Sequence, residues 1–165
     1  MLDDSLHWEG VAAVMKVTVF LRNEHENLKS LFNNYKKPSM RNGNGKKEQF
    51  NDIRREILLH SQMESEIFYP ALSGTSSTTA VELVSKAQEE HAAIETALQE
   101  LSGMNPADRS FETKMSELMD AVTRHIQREE EEIFDEARKN LPEFRLEELG
   151  LEMEDRRKIL TQLAA

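Results

Sequence analysis

Cysteine is absent from the 165-residue chain, which excludes disulfides, thiolate zinc sites and iron–sulfur ligation by its own side chains. Proline (4) and glycine (6) are scarce, so there is little turn chemistry for a many-stranded β fold and little to interrupt helices. Aromatic residues make up only 6%, so the core must be largely aliphatic. Positive charge is in deficit: 21 Lys and Arg against 31 Asp and Glu give a formal net charge of -10. A chain so acidic lacks the basic face that nucleic-acid binding requires. No apolar run approaches the ~20 residues of a membrane span. The opening MLDDSLHWEG is acidic and has no basic region of the kind that begins a secretory signal. The expectation is a cytoplasmic chain with no nucleic-acid or membrane partner.

What remains is rich in helix formers, and the length suits a single domain over 1–165. Four segments show helical periodicity. The first spans about Gly10 to Tyr35, with Val14, Leu21, Leu28, Phe32 and Tyr35 on one stripe, and KKPSMRNGNGKK breaks it. The second spans about Glu48 to Leu72. Ser and Thr in SGTSSTT can cap the third, about Ala80 to Leu101. Asn105 and Pro106 are placed like an N-cap and first helical residue ahead of the fourth, about Asp108 to Asn140. Beyond Pro142, Gly150 divides a tail over 142–163 into two short amphipathic helices, set across an end or on an outer face. The fold class expected is all-α: an up-down-up-down antiparallel four-helix bundle over about 10–140 with short C-terminal helices. His7 and Trp8 read as terminal packing.

The buried stripes carry residues that burial should exclude. In the second segment the stripe runs Phe50, Ile53, Ile57, His60, Glu64, Ile67, Ala71. The first has Leu21, His25, Leu28 and Phe32; the third has Ala87, His91, Ile94 and Leu98; the fourth has Val122, His125, Glu129 and Ile133. Four of five histidines occupy seam positions, one per helix. With about two seam positions in seven, chance would place all four there on the order of 1% of the time. There is also an internal echo: EHENL (Glu24 to Leu28) resembles EHAAI (Glu90 to Ile94), and HSQMESE (His60 to Glu66) resembles HIQREEE (His125 to Glu131). Helices one and two are thus a weak copy of three and four, which gives the bundle an approximate two-fold. From segment boundaries His25, His60 and His91 reach a common depth; His125 does so only if its helix protrudes beyond its neighbours.

Glu64 follows His60 by four residues, and Glu129 follows His125 by four, so each pair faces one way. An HxxxE pair alone is most often an exposed ion pair. Two carboxylates in an apolar seam cost several kcal/mol each unless compensated. A buried imidazole–carboxylate hydrogen-bond network is one compensation; a bound cation is the better one. Imidazole with carboxylate suits iron, manganese or zinc. Six ligands exceed a closed tetrahedral zinc site and suit two ions, each on two histidines, with Glu64 and Glu129 bridging.

These motifs, EHENL, HSQMESEIFYP, EEHAAIE and HIQREEEEIF, together resemble the hemerythrin-like, or HHE cation-binding, domain family over about Val17 to Leu160. The resemblance implies metal ligands His25, His60, Glu64, His91, His125 and Glu129 around two iron ions with an oxo or hydroxo bridge. It implies a small ligand, O2, nitric oxide or peroxide, bound or reduced in sensing or stress response. The alternatives are iron storage, delivery or sensing, iron–sulfur cluster repair without turnover, and a structural bundle whose polar seam only fixes register. Oxygen-carrying members have a histidine where this chain has Glu95, and an aspartate where it has Glu130. The pattern resembles the bacterial branch with two HxxxE motifs, whose cluster-repair members carry a cysteine-bearing N-terminal region not found here. Glu95, Glu24, Glu90 and Glu130 to Glu132 are expected on the surface; the lesser alternatives are ligation by Glu95 or Glu130, support of the ligands by Glu95, Glu24 or Glu90, and orientation of a ligand imidazole by one of the last three. Tyr69 is expected in helix-end packing, within possible hydrogen-bond reach of the metals. Leu28, Phe32, Ile57, Ile94, Val122 and Ile126 are expected to wall the site.

Overall fold

The computed structural model describes residues 14–37 and 43–164, and among them every regular element is helical. In chain order these are α1 (Val17–Tyr35), α2 (Gly43–Met63), a five-residue π-helical turn π1 (Glu64–Phe68), α3 (Tyr69–Ser73), α4 (Thr78–Ser102), α5 (Arg109–Arg128), a second turn π2 (Glu129–Ile133), α6 (Phe134–Asn140) and α7 (Glu143–Leu163). α2, π1 and α3 form one continuous arm, as do α5, π2 and α6. The four arms pack as a ring, α1 against α2, α2 against α4, α4 against α5 and α5 against α1. Tyr35 at the end of α1 and Lys46 near the start of α2 both contact Glu112 at the start of α5. Neighbouring arms therefore run antiparallel, and the all-α up-down bundle stands.

Local chemistry sets the ends. Ser77 caps α4, its hydroxyl accepting the Ala80 N–H at 3.1 Å. Asn105 does not cap α5; its side-chain oxygen accepts the Ala107 N–H at 3.1 Å in a turn, and the helix begins at Arg109. α2 starts at Gly43, several residues before the Glu48 expected from composition. Both α2 and α5 therefore begin far ahead of their histidines and extend past the ends of α1 and α4. That protrusion brings His125 level with the other three. Val14, expected on the inner stripe, is 38% exposed and precedes α1. The remainder of the expected helix start at Gly10, and His7 and Trp8, lie outside the described residues.

The π turns correct the second stripe. Each adds one residue to a helical turn: the Tyr69 N–H bonds the carbonyl of Glu64, and the Phe134 N–H that of Glu129, five residues back. Beyond Glu64 the inward set therefore moves from Ile67 and Ala71, which are only half buried, to Phe68, Tyr69 and Leu72, all 0% exposed.

The tail is one helix rather than two. α7 runs unbroken through Gly150 and lies along α1 and α2. Gly150 faces the backbone just before α1, where any Cβ would collide with the Met15 carbonyl. The glycine serves a close crossing, not a break.

Buried apolar side chains fall into two clusters. One, at the α7 end, includes Leu21, Met63, Phe68, Leu72, Phe134, Leu149 and Met153. The other, at the far end, includes Leu28, Phe32, Ile57, Ile94, Leu98, Val122 and Ile126. Between them lies a polar layer.

Candidate metal centre

That layer consists of His25, His60, Glu64, His91, His125 and Glu129, none more than 5% exposed. Each is flanked along its helix by residues of the two apolar clusters, so the helical period that buries Leu21 and Leu28 also buries His25. The four imidazoles turn their Nε2 atoms to the centre: His25 and His60 at 3.2 Å, His91 and His125 at 3.0 Å. Glu64 spans the two pairs. Its Oε1 lies 3.0 Å from Nε2 of His60, and its Oε2 3.1 Å from Nε2 of His91. Glu129 Oε2 lies 3.1 Å from Nε2 of His25. Ligand-type atoms gather in two sets, His25, His60, Glu64 and Glu129, and Glu64, His91 and His125, with Glu64 common to both.

Do these residues fit metal ions? Glu64 Oε1 and Glu129 Oε2 are fully buried yet receive no hydrogen bond, despite lying so near imidazole nitrogens. A self-sufficient hydrogen-bond network would not leave them orphaned, whereas convergent, unaligned nitrogen and oxygen donors suit cations between them. The charge balance agrees. Burial pushes Glu64 up, but His60, His125 and His91 outweigh it and hold its carboxyl well below the usual range. Glu129 is raised, by burial and by the facing charge of Glu64. Burial pulls His25 and His125 down, but the carboxylates overcome it and raise both, Glu129 foremost for His25 and Glu64 for His125. Without a cation, protons must supply the missing positive charge.

The outward nitrogens extend the pattern. Nδ1–H of His25 donates to Glu130 at 2.8 Å, and that of His125 donates to Glu90 at 2.9 Å. Such carboxylates fix the tautomer that leaves Nε2 free to ligate and make the imidazole a stronger donor. Arg128 closes over Glu90. Nδ1 of His60 and of His91 is buried with no hydrogen-bond partner. Tyr69, 0% exposed, brings its hydroxyl within 3.2 Å of both Glu64 Oε2 and Glu129 Oε1, and 3.4 Å from His91 Nε2. The π turn accomplishes this, because residue five after Glu64 is stacked above it. Burial, then Glu129 and Glu64, raise the phenol well above its ordinary value, so it stays protonated and donates to one carboxylate at a time.

Sequence reasoning placed three contributors only as lesser possibilities. Glu90 and Glu130, expected mainly on the surface, reach histidines on neighbouring helices. The signal was adjacency: each directly follows or precedes a seam residue, and an imidazole with Nε2 inward needs an acceptor for Nδ1. Tyr69, expected chiefly in helix-end packing but within reach of the metals, is carried inward by the unforeseen π turn. Glu95 is exposed, as expected, and so are Glu131 and Glu132. The expected wall residues adjoin the centre within the far apolar cluster. A groove of about 320 Å3 between α4 and α5, floored by Ile94, Ala97, Leu118 and Ala121, ends at His125 beneath the Glu90–Arg128 pair.

A four-helix bundle with a buried histidine–glutamate layer at mid-height defines a class of helical cation-binding proteins. The model of one family, the hemerythrin HHE cation-binding domain, matches residues 16–137, and the chain belongs to that family. A crystal structure of a hemerythrin HHE cation-binding domain-containing protein from Mycobacterium kansasii superposes with a TM-score of 0.78 at 23% identity, covering 91% of this chain and 90% of that one. At that identity the likeness concerns the fold. No curated protein sequence matches the chain significantly. Among the described residues no helix is long and apolar enough to cross a membrane.

Proposed function

We propose that the chain is a non-heme di-iron protein that binds or reduces a small ligand, O2, nitric oxide or peroxide, in sensing or stress response. The observation that carries this reading is the posture of Glu64, whose two oxygens face opposite histidine pairs, as a carboxylate bridging two cations would. His25 and His60, with Glu64 and Glu129, would hold one ion, and His91 and His125, with Glu64, the other. Four protein contacts at one ion and three at the other would leave coordination positions for the small ligand. When bound, the iron pair would supply reversible one- and two-electron chemistry.

The chain's own part is positional. Glu130 and Glu90 orient His25 and His125 through Nδ1. Leu28, Ile57, Ile94, Val122 and Ile126 exclude water on one side, and Phe68, Phe134 and Ile133 on the other. Tyr69 is a neutral proton donor at the carboxylates.

Anaerobic titration with Fe(II), followed by elemental analysis, tests the assignment. Two irons per chain are expected, and His60→Ala or Glu64→Ala should lose at least one. Unchanged stoichiometry in both variants refutes the ligand set. Addition of O2, nitric oxide or H2O2 to the reduced protein then separates the functions: an adduct or turnover supports this reading, and iron loss without either favours storage or delivery.

A further inference from the structure

The internal repeat makes His60 equivalent to His125, and Glu24 equivalent to Glu90. In the second half the equivalence is realised as a bond, His125 Nδ1–H to Glu90 Oε2 at 2.9 Å. In the first half the same bond is missing. Glu24 shares Arg157 with Glu56, which lies one helical turn before His60 on α2, so it faces the turn that carries His60, and its side chain is only 16% exposed. Yet His60 Nδ1 is buried without a hydrogen-bond partner.

What holds Glu24 instead comes from outside the repeat. Arg157 of α7 holds Glu24 by charge, with Nη1 3.1 Å from Glu24 Oε2 but not aligned for a hydrogen bond, and donates from Nη2 to Glu56 Oε2 at 2.5 Å. Next to it, Arg156 grips Glu66 with two bonds, 2.6 and 3.0 Å, which fixes this turn of α7 on the α2–π1 arm. The helix that breaks the two-fold is the one that occupies Glu24.

Building on the di-iron reading, we propose that Arg157 is a positioning residue that withholds Glu24 from His60, so that the seating of α7 sets the donor strength of the His25–His60 metal position. With Arg157 in place each position has one carboxylate-backed imidazole, His25 by Glu130 and His125 by Glu90. Without it the first position would gain a second. A backing carboxylate changes metal affinity by about 10–100-fold, so releasing Glu24 should tighten one of two binding steps and leave the other alone.

The test is stepwise Fe(II) binding to the full chain under anaerobic conditions, by chelator competition. Arg157→Met should tighten one step on the order of tenfold, Arg157→Lys should stay near wild type, and Arg157→Met with Glu24→Gln should return to wild type. Binding steps in Arg157→Met that are unchanged or weakened together overturn the proposal, as does a double variant as tight as the single. A contrast that leaves α7 untouched gives a second check. Glu24→Gln alone should leave both steps as they are, because Glu24 is already withheld, while the equivalent Glu90→Gln should weaken one step on the order of tenfold. Weakening by Glu24→Gln equal to that by Glu90→Gln overturns it. A wild-type chain that takes up no iron sinks the di-iron reading and this inference together; normal uptake with indifferent variants sinks only the latter.

Discussion

Tyr69 and Phe134 occupy equivalent places in the two halves, each directly after a π turn. Phe134 stacks on His25 with ring centroids 5.9 Å apart, and Tyr69 leans on His91 at 5.5 Å. The packing role is thus shared, and the difference is one hydroxyl, placed between two buried carboxylates. Tyr69→Phe should therefore keep the fold and the uptake of two irons. It should cost about 1–2 kcal/mol of stability through the lost bond, and slow reduction of added H2O2 on the order of 100-fold if the hydroxyl supplies the proton. Stopped-flow rates for the two proteins decide this; equal rates would remove the hydroxyl from the chemistry. At this scale the six central side chains were legible in the sequence because their types contradict their burial. Glu90 and Glu130 were legible only as lesser candidates, since a glutamate beside a seam is ordinary and only a neighbouring helix reveals what it touches.

Among the elements, the period of 3.6 residues located all four arms but could not register a local change of period. The stripe from Phe50 to Glu64 was readable, and it failed at Ile67 because π1 adds a residue there. The site depends on this irregularity, which carries Tyr69 inward. Gly150 misled for another reason: glycine in a helical pattern reads as a break when only chain-local propensity is weighed, while a tertiary crossing demands it. Gly150→Ala, which raises intrinsic helix propensity by up to about 1 kcal/mol, is nevertheless expected to destabilise, because the added carbon meets Met15 backbone. Overpacking of this kind costs about 1–3 kcal/mol, and each kcal/mol lowers Tm by about 2–4 °C in a chain of this size. A thermal melt with Tm unchanged or raised would show that α7 can move off α1 freely, and would weaken the case for α7 as a fixed clamp on Glu24.

For the molecule as a whole, the centre is a polar layer between two apolar clusters, so its charge state bears on folding. In the metal-free protein His25 and His125 are raised above the ordinary imidazole value of 6.5. A raised histidine contributes stability that is complete below the unfolded value and is lost as pH climbs through the folded one. Glu129, raised above 4.5, acts in the same direction, since its ionisation is costlier in the fold than in the unfolded chain. Glu64 is depressed, so its contribution is present above 4.5 and fails only in strong acid. From pH 6.5 upward the metal-free protein should therefore grow less stable. Bound cations would take the place of the lost protons, and a ligand that binds only the fold adds about 4 kcal/mol at a free concentration 1,000 times its Kd. Because protons and metal compete for the same Nε2 atoms, this gain should itself grow as pH rises. Calorimetry of metal-loaded and chelator-treated protein should then show a Tm gap that widens from pH 6.5 toward alkaline values. A gap that is constant or narrows would mean that the imidazoles are not where the metal binds.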